Sequence, residues 1–249
     1  MYSYFDLDPV RNTTGYPLKS IWNGEMPKAF WAHKYWPIMF GIYGGLMVIA
    51  SLYFPGYDMV HMSISYMGNP NANPIGCIPW SIAHAAFGIM MFPGIRYMYR
   101  QLSPTPRRFL KSGLVFFVLS AIGIFLLGVI PQFHFTGSQA IHVVDAALFI
   151  GGFYIANLLW SNFLGKLAGV SKPLKRIWGM LTCGLFISIG LSQAILLLSG
   201  GESQVCASGP CPWYFSIDLG EWFIVFVIMA DFAILLFLLP EQSRLEKIG

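Results

Sequence analysis

Residues 110–130 read LKSGLVFFVLSAIGIFLLGVI, with no charge after Lys111. Such a stretch has no face to show to water. It suits a bilayer, where about 18 or more apolar residues at ~1.5 Å each cover the hydrocarbon core. There is no water there to satisfy the backbone, so the segment must be helical. A barrel would need alternating strands of ~10 residues, and none appear. Pro131 then ends the run.

Working outward, five further stretches meet the same standard: Trp36–Phe54, Pro79–Met98, Gln139–Phe163, Ile177–Ser199 and Gly220–Leu239. Pro55-Gly56 closes the first, Pro79 suits an opening helical turn, and Ser138 can cap the fourth span. The fold class expected is all-α: a polytopic six-helix transmembrane bundle over residues 36–239. An amino-terminal arm (1–35) precedes it and a short tail (240–249) follows.

Composition agrees. Of 249 residues, 56% are hydrophobic and 10% charged, and the mean hydropathy is +0.61. A soluble domain carries about 25% charged residues, because its surface must face water. A nucleic-acid partner would need a clustered basic face, which a net charge of +4 hardly permits. All 15 Lys and Arg fall in the arm, in the connections after the second and fourth spans, and in the tail. Cationic loops stay cytoplasmic, so both termini are expected inside a cell membrane. Residues 55–78, 131–138 and 200–219 then lie outside.

The first 35 residues are polar and aromatic, so no cleavable signal peptide is expected. Trp22, Trp31, Tyr35 and Trp36 with Lys28 and Lys34 fit an interfacial arm as well as they fit a partly disordered tail. The sequon at Asn12 would lie inside and go unused.

The outer connection at 55–78 is rich in Ser, Asn, Gly and Pro. Two readings stand for it. Ser63, Ser65 and Asn69 can hold a headgroup or partner, or the same residues can bond their own backbone and make a compact capped loop. In the last outer loop, Cys206 and Cys211 flank a Gly-Pro turn, and an oxidising exterior favours a disulfide between them. Cys77 and Cys183 read as packing residues.

Ionisable groups within spans are costly and mark sites by default. His84, His142, Asp145 and Glu221 all fall within ~10 Å of depth in the outer leaflet at ~1.5 Å per residue, as does the polar Gln193, a further candidate for holding a headgroup or partner. His142 and Asp145 share a helix face. His84, His142 and Asp145 suit a divalent metal, and water on such a metal is a nucleophile near neutral pH. With Glu221 they are the candidates for catalysis. His84 with His142 also suits a bis-His haem. The alternative is structural: His84 bonds a neighbouring helix, Asp145 accepts from His142, and Glu221 with Asp218 caps the last helix. Asp231 lies deeper as a lone intramembrane acid, with Asn157 the nearest polar candidate. Gly41-x-x-x-Gly45, Ala147-x-x-x-Gly151 and Gly184-x-x-x-Ser188 read as packing seams, or as faces for self-association or another membrane subunit.

Three of these features together resemble a known family. They are Ser63-Ile64-Ser65-Tyr66-Met67-Gly68-Asn69-Pro70 before a span, Gly128-Val129-Ile130-Pro131 ending another, and His142 with Ala146 and Ala147 opening the next. The pattern resembles the DUF998 membrane proteins and, more distantly, is similar to the Frag1/DRAM/Sfk1 group. The likeness covers roughly residues 36–240 and leaves out the arm and the Cys206/Cys211 loop. It implies a compact six-helix bundle in prokaryotic membranes with no settled activity, and for the distant relatives roles in lipid or anchor handling. It directs attention to Ser63, Ser65, Gly68, Asn69 and His142 without assigning a reaction.

Two functions follow as expectations. One is a non-enzymatic lipid-interacting or scaffolding subunit. The other is a membrane-embedded metal-dependent hydrolase acting on a lipid-like substrate, with a haem protein as a weaker third.

Overall fold

The computed structural model describes residues 18–59, 62–102, 108–130, 138–164, 183 and 217–239. The described residues form helices and no strands. In chain order these are α1 (Leu18–Trp22), α2 (Lys28–Leu52), a 3₁₀ turn (Ser65–Gly68), α3 (Cys77–Leu102), α4 (Arg108–Val129), α5 (Ser138–Leu164) and α6 (Ile217–Leu238). Four of them, α2 to α5, contain stretches long and apolar enough to cross a membrane. The predicted span Ile177–Ser199 lies outside the described residues, as do Gln193, the Cys206/Cys211 loop and the tail.

Helices α2 to α5 pack as successive antiparallel hairpins. Tyr43 on α2 lies level with Phe87 on α3, while Tyr35 reaches Met90. The α3–α4 and α4–α5 seams are made by glycines at which backbones meet. A Cβ at Gly128 would come 2.5 Å from the Ser81 carbonyl oxygen, and one at Gly123 would come 2.5 Å from the Phe149 nitrogen. Close backbone approach of this kind is how helices associate when lipid surrounds them.

The small-residue pairs singled out in the sequence are not these seams. A side chain at Gly41, Gly45 or Gly151 would meet nothing within 4 Å among the described residues. Ala147 and Gly151 instead line an apolar groove of about 290 Å³ between α4 and α5. Gly184 lies outside the described residues. A small-xxx-small spacing identifies a smooth face but not what that face meets.

The outward faces are apolar as well: Ile38 is 56% exposed, Val48 58% and Val143 60%. Large apolar side chains exposed along whole helix faces fit a lipid surrounding.

The first long helix starts at Lys28, before the Trp36 boundary expected from hydropathy, and passes through a π-turn at Trp31–Tyr35. Pro37 supplies the physical reason. It has no N–H to give the His33 carbonyl, and its ring would clash there in a regular α-turn. The wider turn carries the bonding past this point, with the Trp36 N–H bonded to the Trp31 carbonyl.

The chain before α2 is packed against the bundle. Trp31 is fully buried, stacked on Tyr97 of α3 at 5.0 Å, and its indole N–H donates to the Met26 carbonyl. Gly24 has φ +70°, and a Cβ there would strike the Tyr97 backbone at 2.6 Å. The Lys28 ammonium donates to the Leu239 carbonyl just past α6, at 2.6 Å. A cation at that end complements the helix dipole. Residues 18–35 are therefore held against the bundle, with Leu18 and Trp22 turned outward.

Candidate functional site at the loop end

The connection between α2 and α3 folds back over the bundle, and its own polar residues hold it there. Asn73 is fully buried. Its amide donates to the carbonyls of Ala50 at 3.1 Å and Met67 at 3.0 Å, and its oxygen accepts the Gly76 N–H at 3.0 Å. Asn69 accepts the Asn71 N–H at 2.9 Å, an Asx turn. The Ser63 hydroxyl accepts the Tyr66 N–H at 3.1 Å. Trp80, in the first turns of α3, donates its indole N–H to the Ile64 carbonyl at 2.7 Å. Its ring fills the space a Cβ on Gly68 would occupy, at 2.6 Å. Ser63 and Asn69 thus both bond the backbone of their own loop.

Ser65 is placed differently. Its backbone N–H donates to Glu221 Oε2 on α6 at 3.1 Å, and its hydroxyl meets His142 Nε2 on α5 at 3.1 Å. A loop residue and two helices distant in sequence thus converge on one point. The first turn of α6 is tied to the loop a second time, because the Trp222 indole N–H donates to the Tyr57 hydroxyl at 2.9 Å, and Tyr57 donates on to the Met62 carbonyl at 3.2 Å. Glu221 therefore reaches across to the loop, and the Asp218 side chain is outside what is described.

His84 is buried on α3 beside this point. Its Nδ1 lies 2.9 Å from the Trp80 carbonyl and its Nε2 lies 3.2 Å from the Tyr43 hydroxyl on α2. A carbonyl only accepts, so Nδ1 carries the proton. Nε2 then accepts from the tyrosine, and both ring nitrogens of the neutral imidazole are in use. The Trp80 and Tyr43 rings pack on it with centroids 4.1 and 5.3 Å away. His84 is the helix-bonding histidine that the structural reading expected. Trp80, which bonds the Ile64 carbonyl next to Ser65 and packs on the His84 ring, links the two.

A metal trio of His84, His142 and Asp145 would need the His84 Nε2 lone pair, which Tyr43 occupies, and a bis-His haem would need it too. Among the described residues no three or more His, Cys, Asp or Glu side chains gather as a metal-ligand group. Asp145 is 3% exposed, and its Oδ2 has no partner among the described residues; neither does the buried Nδ1 of His142. The Asp145–His142 hydrogen bond expected from their spacing is thus not formed.

Asp231 is buried on α6. Phe153 and Phe232 meet at 6.5 Å, so α5 and α6 touch near this depth. Yet both amide atoms of fully buried Asn157 lack a partner among the described residues, so Asp231 does not bond it.

Sequence reasoning missed Tyr43, Trp80 and Asn73. Tyr43 and Trp80 read as ordinary apolar-span residues; the packing of α2 on α3 brings the Tyr43 hydroxyl to His84, and the folded-back loop brings the Ile64 carbonyl to the Trp80 indole. Asn73 was visible in its Asn-x-x-Gly setting, a turn signal of its own. Replacing Tyr43 with Phe should strand the buried His84 Nε2. The expected loss is about 0.6–1.7 kcal/mol, the range of interhelical hydrogen bonds in membranes. A thermal melt in detergent would show it as a lowered Tm, and an unchanged melt would mean the bond is absent.

No protein-family model matches this chain, and no curated protein or solved structure matches it either.

Proposed function

We propose that this chain is a six-span cell-membrane protein, both termini cytoplasmic, whose outer end binds the polar part of a lipid-like ligand. The observation that carries this reading is the convergence of Ser65, His142 and Glu221 from three separate elements beside a buried His84–Tyr43 pair. Hydroxyl, imidazole and carboxylate supply both donors and acceptors at the level where a helix bundle meets headgroups. The one-sided distribution of Lys and Arg supports the orientation. A lipid or anchor role is also what the more distant similarity to the Frag1/DRAM/Sfk1 group implies.

The test is phospholipid retention. Purified protein washed in mild detergent should keep about one phospholipid per chain by phosphorus assay and mass spectrometry. The double variant His142→Phe, Glu221→Gln should lose it while eluting as a single species. Equal phospholipid in both proteins, at the level of a helical membrane protein of unrelated fold, would remove the reading.

A further inference from the structure

The two serines of the loop differ in their chemistry. The Ser63 hydroxyl accepts a backbone N–H and fixes a turn. The Ser65 hydroxyl lies 3.1 Å from His142 Nε2. A serine hydroxyl within hydrogen-bond reach of an imidazole nitrogen is the minimal nucleophile–base pair. Ser65 is held for this by its backbone N–H, which donates to Glu221. It is half-buried, while the imidazole behind it is 6% exposed. For Nε2 to take a proton, Nδ1 must carry the other. That atom is buried and has no partner among the described residues, and the equally unpartnered Oδ2 of Asp145 belongs to the next turn of the same helix. Residues three apart are neighbours on a helix, and catalytic contacts left long without substrate tighten when it binds.

The geometry points to Ser65 and His142 as nucleophile and general base that hydrolyse a lipid carboxylic ester, with Asp145 as positioning residue. This rests on the proposed reading of the site as a place where a lipid's polar part sits, because that is the depth at which acyl ester carbonyls lie. Ser65 Oγ attacks the carbonyl carbon while its proton passes to Nε2. The Oγ–C bond forms, the bond to the alcohol oxygen breaks, and the alcohol leaves with the proton from Nε2. Water then gives a proton to Nε2 and attacks the acyl-Ser65 ester. The acid departs, and Ser65 Oγ recovers the proton. The balance is ester plus water to acid plus alcohol, and no metal or redox partner is needed.

The test uses the full chain in phosphatidylcholine vesicles and an alkyl fluorophosphonate, which phosphonylates activated serines. Peptide mass spectrometry should find the label on Ser65. Ser65→Ala should abolish it, and Ser51→Ala, on an exposed hydroxyl at the end of α2, should leave it unchanged. His142→Ala should slow it about 10²-fold or more, the scale of general-base catalysis. Asp145→Asn should shift the midpoint of the labelling rate to lower pH, since the imidazolium loses a carboxylate neighbour. Tyr43, His84 and Glu221, the other ionisable groups facing this point, are unchanged in that comparison. A wild-type protein that elutes as one species but labels no more than Ser65→Ala overturns the proposal, as does labelling equal in His142→Ala. Retained phospholipid in that case leaves the binding reading standing, whereas its loss as well removes both.

Discussion

A leucine at Gly123 should leave almost no folded protein to purify. The Cβ alone would sit 2.5 Å from the Phe149 nitrogen and 2.7 Å from the Asp145 carbonyl oxygen. Both are backbone atoms of α5, so no side-chain rotation relieves the clash and the two helices must separate. Overpacking by a methylene or two in a tight core costs about 1–3 kcal/mol, and a whole side chain at a backbone contact should exceed that range. The comparison variant is Gly45→Leu on α2, where the added Cβ would meet nothing within 4 Å among the described residues. It should fold as the parent does. Fluorescence-detected size exclusion after a temperature ramp separates the two. Identical profiles would mean that α4 and α5 do not touch along this seam.

The second large effect is expected at Asn73. Its side chain serves two carbonyls and one N–H, and the residue is fully buried. Alanine there strands all three groups. At about 1–3 kcal/mol for each buried unsatisfied partner, and allowing for non-additivity, the loss is on the order of 3 kcal/mol. It should appear locally first, because the loop is held by these bonds while α4 and α5 have seams of their own. Hydrogen exchange over residues 62–76 should speed up, with α4 amides as slow as before. Unchanged protection of the Gly76 amide would contradict the bonding described.

Hydropathy located the four helices that are long and apolar enough to cross a membrane, since lipid demands the same composition of any crossing helix. Boundaries suffered where one residue acts on another at a distance. The apolar run begins at Trp36, but the π-turn before Pro37 lets the helix start at Lys28. The candidate site was legible in depth, because rise per residue converts position to height. Its angular arrangement was not, because which residues on α3 and α5 face each other depends on packing. Thus His84 and His142 were found at one level, but nothing in their spacing assigned His84 to Tyr43 and His142 to Ser65. The two serines of Ser63-Ile64-Ser65 are chemically equal in the sequence, and only the turn around Tyr66 distinguishes them.

The contact between Ser65 and Glu221 joins residues 156 positions apart. As the chain is made, the loop before α3 emerges long before the carboxylate it needs. α2 and α3 can pair early, since they are neighbours in sequence. The Asn73 bonds can hold the loop above them from then on, but its tie to Glu221 must wait for α6. Until then Ser65 stands without its brace, and the site exists in parts. The contact between Ser65 and Glu221 is therefore dated by the arrival of α6.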